Sequence, residues 1–316
     1  MDRKLGTSRR NLLRMCSAGL WAAPPPKSKV VIARDPMVRN SAGSLVKLLD
    51  RAMQSFFDRN SPIEAWRRLV RPGEVVGLKV NCLAGKGAST SVPLVEAICE
   101  RLQQAGIPAK NIVIWDRLNA DLEGAGFRPT SPRQRIRSMG NDELGYEEDL
   151  ETFGSAASLL SRTLTQLCHA VINLPVLKDH GIAGVTMALK NLFGAIHNPN
   201  KYHLNAGDPY VADVNMFPPI RQKVRLTICD AITAQYEGGP SYMPQWTWPY
   251  NGLIVARDPV ALDYTGWQII ERKRAEKGMK SLKASGREPR YIATAADRAH
   301  RLGTNAPTQI DRVEAP

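Results

Sequence analysis

The sequence of 316 residues contains few cysteines, and they are scattered along the chain. The cysteines at positions 16, 82, 99, 168 and 229 form no Cys-x-x-Cys pair and show no spacing typical of zinc or iron–sulfur sites. We therefore expect no iron–sulfur cluster held by the chain's own cysteines. Cys82, Cys168 and Cys229 lie in or beside apolar runs, where cysteine usually serves as a small buried hydrophobic residue.

The chain also lacks a nucleic-acid-binding motif and an apolar run long enough to span a membrane. Its formal net charge is +13, but the basic residues form no stripe interleaved with aromatic side chains, so we expect no nucleic-acid partner. Such an excess of positive charge favours anionic ligands or surfaces. A permanent transmembrane helix needs about 20 apolar residues, and we expect no permanent membrane span.

The N-terminus resembles an export signal. The run Ser8-Arg9-Arg10-Asn11-Leu12-Leu13-Arg14 places two adjacent arginines before an apolar stretch at 15–23, and three prolines follow. This pattern resembles a twin-arginine signal, which bacteria use to export folded proteins. We expect a signal peptide at 1–26, the twin-arginine export machinery as a partner, and a periplasmic or other extracytoplasmic location. The alternative is an ordinary basic N-terminus.

Beyond residue 26, apolar strands alternate with amphipathic helices. The pattern predicts strands at 30–33, 75–80, 112–115, 171–176, 226–229 and 253–256, and helices at 44–57, 92–105, 185–196 and 259–274. This alternation is typical of a doubly wound α/β fold, with a mostly parallel sheet and helices on both faces. We predict one such domain over 27–316, with an irregular insertion at 119–151. Folds of this type bind ligands at the carboxyl ends of the strands.

The densest group of polar residues follows the fourth predicted strand. Lys178 and His180 come directly after that strand, and a loop with two glycines leads to Thr186, Lys190 and Asn191 at near-helical spacing. Two lysines, an imidazole, a hydroxyl and a helix N-terminus favour a carboxylate or phosphate ligand. The alternative is that both lysines are solvated, while His180 caps a turn and Thr186 caps the helix.

Further candidates lie at the ends of other predicted strands. Lys79 and Asn81 are additional ligand-binding candidates, and a glycine-rich segment at 84–90 follows them as a second possible anion loop. Two aspartates end apolar strands, where a carboxylate binds a metal, acts as a base or caps the next turn. A divalent metal is one alternative, and its candidate ligands are His180, His203, Asp116, Asp213 and Asp230.

These motifs carry a family resemblance. The segment 174–194 contains Leu-Pro-x-Leu-Lys-x-His, Gly-x-Thr and Leu-Lys-Asn-Leu-Phe-Gly, and it resembles a bacterial and archaeal family known as domain of unknown function 362. Supporting elements are Lys79-x-Asn81, the Asp116 strand end and the segment 256–263. Many relatives look to be fused to ferredoxin-type cysteine motifs, which implies a redox context. Those motifs are absent here, so an electron-transfer role requires a separate redox partner protein or a different cofactor.

The sequence supports two functions. The leading hypothesis is an exported enzyme that acts on a small anionic compound, with a metal or redox cofactor as an option. Lys178 and Lys190 would hold the anion, Thr186 and Asn191 would orient it, and His180 would act as an acid, a base or a ligand. The alternative is a non-catalytic protein that uses the same lysines to capture an anion, or that docks onto a redox complex.

Overall fold

The computed structural model describes residues 27–39, 41–130 and 135–316, so the predicted signal peptide lies outside the described residues. The strands are β1 Ser28–Arg34, β2 Val76–Lys79, β3 Ile112–Asp116, β4 Arg137–Gly140, β5 Tyr146–Phe153, β6 Ala156–Ser161, β7 Ala170–Asn173, β8 Val176–His180, β9 Gly184–Thr186, β10 Val224–Gln235, β11 Thr247–Ala256 and β12 Ile310–Ala315. The α-helices are α1 Ala42–Phe57, α2 Pro62–Arg67, α3 Val92–Gln104, α4 Asn119–Ala125, α5 Asn141–Leu144, α6 Ala188–Asn191, α7 Tyr210–Asn215, α8 Pro218–Lys223, α9 Pro259–Glu276 and α10 Tyr291–Ala296.

One large, mostly parallel sheet forms the centre of the fold. Its strand order is β12-β1-β11-β10-β7-β2-β3-β4, and β8 pairs with β10 and carries β9. The five strands from β10 to β4 in this order are parallel to one another. β11 is antiparallel to both of its neighbours, β1 and β10. The segment 236–246 that joins β10 to β11 contains no crossover helix, which a parallel connection usually requires. The predicted α/β class and mostly parallel sheet are confirmed.

Helices cover both faces of the sheet, as predicted, and two hydrophobic cores result. α1, α2 and α3 supply one core, in which Leu48 and Trp66 are fully buried. α9 and α10 supply the other core, which contains Ile270 and Tyr291. β1 places successive side chains alternately in the two cores, as the period of a strand requires.

The long helices agree with the predicted bounds. α1, α3 and α9 begin and end within two residues of the predicted bounds. The carboxylate of Asp258 accepts hydrogen bonds from the N–H groups of Val260 and Ala261, so this residue caps α9. In the described ranges, no helix is both long and apolar enough to cross a membrane.

The segment 119–151 contains more regular structure than the sequence indicated. α4 fills its first part, and β4 pairs in parallel with β3 and extends the sheet at its edge. β5 pairs with β6 in a separate two-stranded sheet. The residues of β4 are Arg-Ser-Met-Gly, which have no apolar run. Its strand conformation therefore depends on pairing with β3 and not on a local pattern.

The helix predicted at 185–196 begins later than expected. Thr186 belongs to the short strand β9, and helical turns begin at Ala188 and continue as α6 and a 3-10 segment. The carboxylate of Asp263, on α9, accepts hydrogen bonds from the backbone N–H groups of Ala188 and Leu189. A neighbouring helix thus caps α6, and the placement of Thr186 on a helix was wrong.

Candidate functional site

The β8–β9 hairpin presents three of the predicted site residues on one face. Lys178 and Thr186 are cross-strand partners, and His180 lies two residues after Lys178. Side chains alternate along a strand, so these three point to the same side. The intervening Asp179 points to the other side, where its carboxylate forms an ion pair with Arg287. This pairing holds the orientation of β8.

The turn of the hairpin requires a glycine. The loop 181–183 joins β8 to β9, and Gly184 follows it with a φ of +81°. A Cβ at this position would lie 2.3 Å from the carbonyl oxygen of Arg287. Both the left-handed conformation and the lack of space exclude other residues. One of the two glycines that we assigned to a ligand-binding loop therefore serves the turn.

The hairpin face borders a cavity of about 630 Å³ at the carboxyl edge of the sheet. The rest of its wall comes from the ends of β2 and β3, from α6 and the segment after it, and from Gly239 and Pro240. The polar residues of the lining are Lys79, Asn81, Asp116, Arg117, Asp121, Lys178, His180, Thr186, Lys190, Asn191, Asn200 and His203. The structure thus brings together His180 and all six of the predicted ligand-binding residues.

Lys190 is a buried cation with little compensation. The residue is only 7% exposed, and its Nζ lies 2.9 Å from Nε2 of His203. The Nζ also lies 4.7 Å from the centre of the Phe193 ring. Burial, together with repulsion from Lys178, lowers the pKa of Lys190 to about 7. At neutral pH a substantial fraction of this side chain is therefore a neutral amine.

Lys178 is also buried, but its ammonium contacts backbone oxygens. Its Nζ donates to the carbonyl of Ala88 at 2.8 Å and to that of Pro240 at 3.3 Å. Burial lowers the pKa of Lys178 to about 8, although the charge of Asp116 acts in the opposite direction. An ammonium has three N–H donors, so one remains for a ligand. The glycine-rich segment 84–90 supplies a carbonyl to Lys178.

His180 is held in one tautomer by the hairpin turn. Its Nδ1 accepts hydrogen bonds from the N–H groups of Ile182 and Ala183, both at 3.1 Å. The proton of the neutral ring must therefore be on Nε2. Burial and the charge of Lys190 lower the pKa of His180 to about 2. These hydrogen bonds favour a donor role for Nε2 and disfavour the predicted roles as base or metal ligand, which need a lone pair there.

Lys79 and Asp116 form a buried ion pair beneath the cavity. The Nζ of Lys79 donates to Oδ1 of Asp116 at 2.7 Å and to the carbonyl of Val80 at 2.7 Å. Asn191 lies beside this pair, and its Oδ1 accepts a hydrogen bond of 2.9 Å from Nδ2 of Asn81. The charges of Lys79 and Asp116 compensate each other. The lysines that face the cavity with unused donors are thus Lys178 and Lys190.

Two buried polar atoms of the lining have no hydrogen-bond partner among the described residues. They are Oγ1 of Thr186 and Oδ1 of Asn81, and both residues are less than a tenth exposed. Buried polar atoms are almost always hydrogen-bonded, because an unmade bond costs about 1–3 kcal/mol. Their presence in the lining indicates that a ligand or ordered water supplies the missing partners.

The predicted metal ligands lie in three separate places. Asp116 and His203 line the cavity, but they pair with its lysines. Asp213 is hydrogen-bonded to His300, and Asp230 accepts hydrogen bonds from backbone N–H groups. Neither lines the cavity. Over the part of the chain that is described, no group of three or more His, Cys, Asp or Glu residues is placed to hold a metal ion.

The described cysteines are buried and unbonded to one another. Cys82, Cys99, Cys168 and Cys229 are all free thiols within these ranges. Burial raises the pKa of Cys99 and of Cys168 to about 12. Protonated thiols in apolar surroundings are poor nucleophiles, so these residues serve packing. Burial of Cys82, Cys168 and Cys229 agrees with the prediction from their apolar neighbours.

Comparison with known proteins identifies the family. The model of a family described as domain of unknown function (DUF362) matches residues 76–268, more than half of the chain. The chain belongs to the DUF362 family. A thylakoid-associated protein of Synechocystis sp. is 28% identical over 251 residues, which cover 73% of this chain and 71% of that protein. A crystal structure of a Thermotoga maritima protein aligns with a TM-score of 0.41 and 11% identity, over 69% of this chain and 58% of that chain.

The DUF362 match contains every residue that lines the cavity. Among its polar residues, sequence reasoning missed Asn200, and it also missed Arg117 and Asp121, whose side chains lie 3.1 Å apart in an ion pair. Both follow the end of β3, where α/β folds place ligand-binding residues. Their position after a strand was the available signal. It was overlooked for Asp121 because that residue falls in the segment predicted to be irregular.

Proposed function

We propose that the cavity binds a small compound with a carboxylate or phosphate group, and that the protein is an enzyme acting on this compound. The observation that carries the proposal is the convergence of hydrogen-bond donors on one cavity. Lys178, Lys190 and Thr186 all line it, with donors that the described residues do not fill. Buried ammonium groups form strong hydrogen bonds with anions, and an anion offsets the cost of burying them.

The lining also favours a second polar group on the ligand. Oδ1 of Asn81 is a hydrogen-bond acceptor, but no described residue donates a hydrogen bond to it. An ionised carboxylate or phosphate oxygen has no proton to donate to it, whereas a hydroxyl, amino or amide group does. Nε2–H of His180 adds a fixed neutral donor to the site. The proposed ligand is therefore an anion that carries at least one hydrogen-bond donor.

Lys190 supports an enzymatic role. A neutral lysine amine is a base and a nucleophile, and buried lysines with lowered pKa values are common in catalysis. Its Nζ is hydrogen-bonded to His203, which is only half-buried and therefore in contact with solvent. This pair offers a route for a proton between the cavity and bulk water. We assign proton transfer to and from the bound ligand to Lys190.

A non-catalytic anion-binding protein is the second candidate. The tautomer of His180 supports it, because Nδ1 is occupied by the turn and Nε2 carries the proton, so the imidazole itself does not act as a base. The same lysines would hold the anion without converting it. The two candidates differ in what they require of Lys190: an enzyme needs its exchangeable proton, whereas a binding protein needs its positive charge alone.

Replacing Thr186 with valine tests the ligand site with little disturbance of the fold. Valine has nearly the same shape, and the hydroxyl of Thr186 has no partner in the described protein. We expect an unchanged or slightly raised free energy of unfolding. The affinity for a carboxylate or phosphate should fall roughly tenfold to hundredfold, because one hydrogen bond to a charged group is lost. Calorimetric titration with a panel of small carboxylates and phosphates measures it.

Thr265→Val is the matched control. The hydroxyl of Thr265 is buried in α9 and donates to the carbonyl of Ala261 at 2.7 Å. Thr265 does not line the cavity. We expect this variant to be less stable and to bind the anion as the wild type does. Equal anion affinity in Thr186→Val and the wild type would contradict the proposed site.

We also propose that the chain is exported through the twin-arginine pathway and works in the periplasm. The arginine pair at 9–10 and the apolar stretch after it support this. Replacing both arginines with lysine retains the charge, and we expect it to abolish export, whereas Arg14→Lys should be tolerated. N-terminal sequencing and cell fractionation check both. Wild-type protein that accumulates only in the cytoplasm with its first residues intact would refute the proposal.

A further inference from the structure

A second, strongly basic cavity lies outside the candidate site. It has a volume of about 380 Å³, and the residues that line it are Lys29, Phe56, Phe57, Arg59, Arg67, Arg68 and Arg257. They come from β1, the end of α1, the end of α2 and the connection between β11 and α9. Five cations and two aromatic rings thus meet at one place from four separate parts of the chain.

Few negative charges balance these cations. Asp58 is adjacent to the cavity, and its carboxylate lies 2.6 Å from the Nζ of Lys29. The guanidinium groups of Arg67 and Arg68 have no hydrogen bond or ion pair with another described residue. Arg257 lies with its guanidinium carbon 5.3 Å from the centre of the Phe57 ring. Like charges repel, so such a cluster gains free energy when an anion enters it.

This cavity is independent of the proposed ligand site. Lys29 is at the start of β1, and Val30 pairs with Ala256, which places Arg257 beside it. β1 runs in the same direction as β10, because both are antiparallel to β11. The basic cavity therefore lies at the amino edge of the sheet, whereas the first cavity lies at the carboxyl edge. The two share no lining residue.

We propose that this basic cavity is a second binding site, for a phosphate-bearing ligand with at least two negative charges. Guanidinium groups match the geometry of phosphate oxygens and bind them in pairs. Arg67 and Arg68 retain their donors for this purpose, and Arg257 and Lys29 line the same cavity. The Phe56 and Phe57 rings, 5.0 Å apart, offer an apolar contact beside the charges. A soluble polyphosphate and an anionic phospholipid headgroup share this chemistry.

Two experiments on the full chain test the proposal. One is calorimetric titration with pyrophosphate. The other is flotation with phosphatidylcholine vesicles that contain or lack phosphatidylglycerol. We expect the Arg67→Gln/Arg68→Gln double variant to weaken binding about tenfold or more, because charge-assisted hydrogen bonds are lost. Both arginines are exposed, so the fold should be retained. Arg128→Gln/Arg221→Gln removes the same charge from exposed positions elsewhere and should bind as the wild type does.

The outcomes separate the ligand sources and the two sites. If the Arg67→Gln/Arg68→Gln double variant weakens binding of pyrophosphate, the ligand is a soluble polyphosphate. If it weakens only the binding to vesicles with phosphatidylglycerol, the ligand is a lipid headgroup. The Lys190→Met variant should retain this binding, because its substitution lies in the other cavity. The proposal would be overturned if the protein bound neither pyrophosphate nor the phosphatidylglycerol vesicles, or if the Arg67→Gln/Arg68→Gln variant bound as well as the control variant. Neither result would affect the proposed function.

Discussion

Replacing Lys190 with methionine is expected to stabilise the ligand-free protein and to remove most of its affinity for anions. Burial lowers the pKa of Lys190 from 10.5 to about 7. Below pH 7 the folded protein must therefore hold a charge that burial disfavours, and methionine avoids this at similar volume. We expect the free energy of unfolding to rise by an amount on the order of a few kcal/mol. Urea denaturation with and without the anion measures both effects.

The stabilisation should depend on pH in a defined direction. The pKa of Lys190 is lower in the folded than in the unfolded chain, so the unfolded wild type binds more protons between about pH 7 and 10.5. Wild-type stability rises with pH over that range. The advantage of Lys190→Met is therefore largest below pH 7 and disappears towards pH 10.5. A constant difference at all pH values would indicate a packing effect instead.

Two further variants complete this experiment. Lys86→Met removes an exposed lysine close in sequence to the cavity lining, and we expect little change in stability or affinity. Lys190→Arg retains the positive charge but cannot release its proton. If the protein is an enzyme, Lys190→Arg should bind the anion without converting it. If it binds without catalysis, Lys190→Arg should be indistinguishable from the wild type in function.

The affinity for the anion is expected to fall as the pH rises through 7 to 8. Protonated lysines hold the anion, and in the free protein the pKa values of Lys190 and Lys178 are about 7 and about 8. Each lysine that loses its proton removes a positive charge from the cavity. Calorimetric titration with succinate between pH 6 and 9 follows the loss. Affinity that is constant over this range would contradict the assigned roles.

Chemical labelling measures the same amine directly. Trinitrobenzenesulfonate reacts only with neutral amines, and an ordinary lysine has a pKa of about 10.4. Lys190 should therefore react at lower pH than the exposed Lys277, and a bound anion should protect it. Peptide mass spectrometry identifies the modified residue. Labelling of Lys277 before Lys190 at neutral pH, in unliganded protein, would show that the Lys190 amine is charged or closed to the reagent.

The sequence predicted the elements whose signal is local. The continuous apolar run of β3 and the periodicity of α1 depend on neighbouring residues, and these elements were placed within a few positions. The strands β4 and β9 escaped prediction because four and three residues are too few for a pattern. Both depend on a partner strand, β3 or β8, that a local reading cannot identify.

The sequence predicted most of the polar side chains that line the cavity, but not their geometry. Strand ends indicated Lys79, Asn81 and the lysines of the 174–194 segment, and all of them line one cavity. The sequence could not show that Lys79 is neutralised by Asp116, because the two are 37 positions apart. It also could not show that Nδ1 of His180 is occupied by the turn that follows it. Such details depend on tertiary contacts.

The alternation of β8 has a consequence for how this protein family can change. Lys178 and His180 face the cavity, whereas Leu177 and Asp179 face away from it. A one-residue deletion or insertion before β8 would exchange these two sets and turn a basic wall into one with a leucine and a carboxylate. Changes that shift β8 by an odd number of residues should therefore be absent from the family, whereas changes in surface loops that leave its register intact are tolerated.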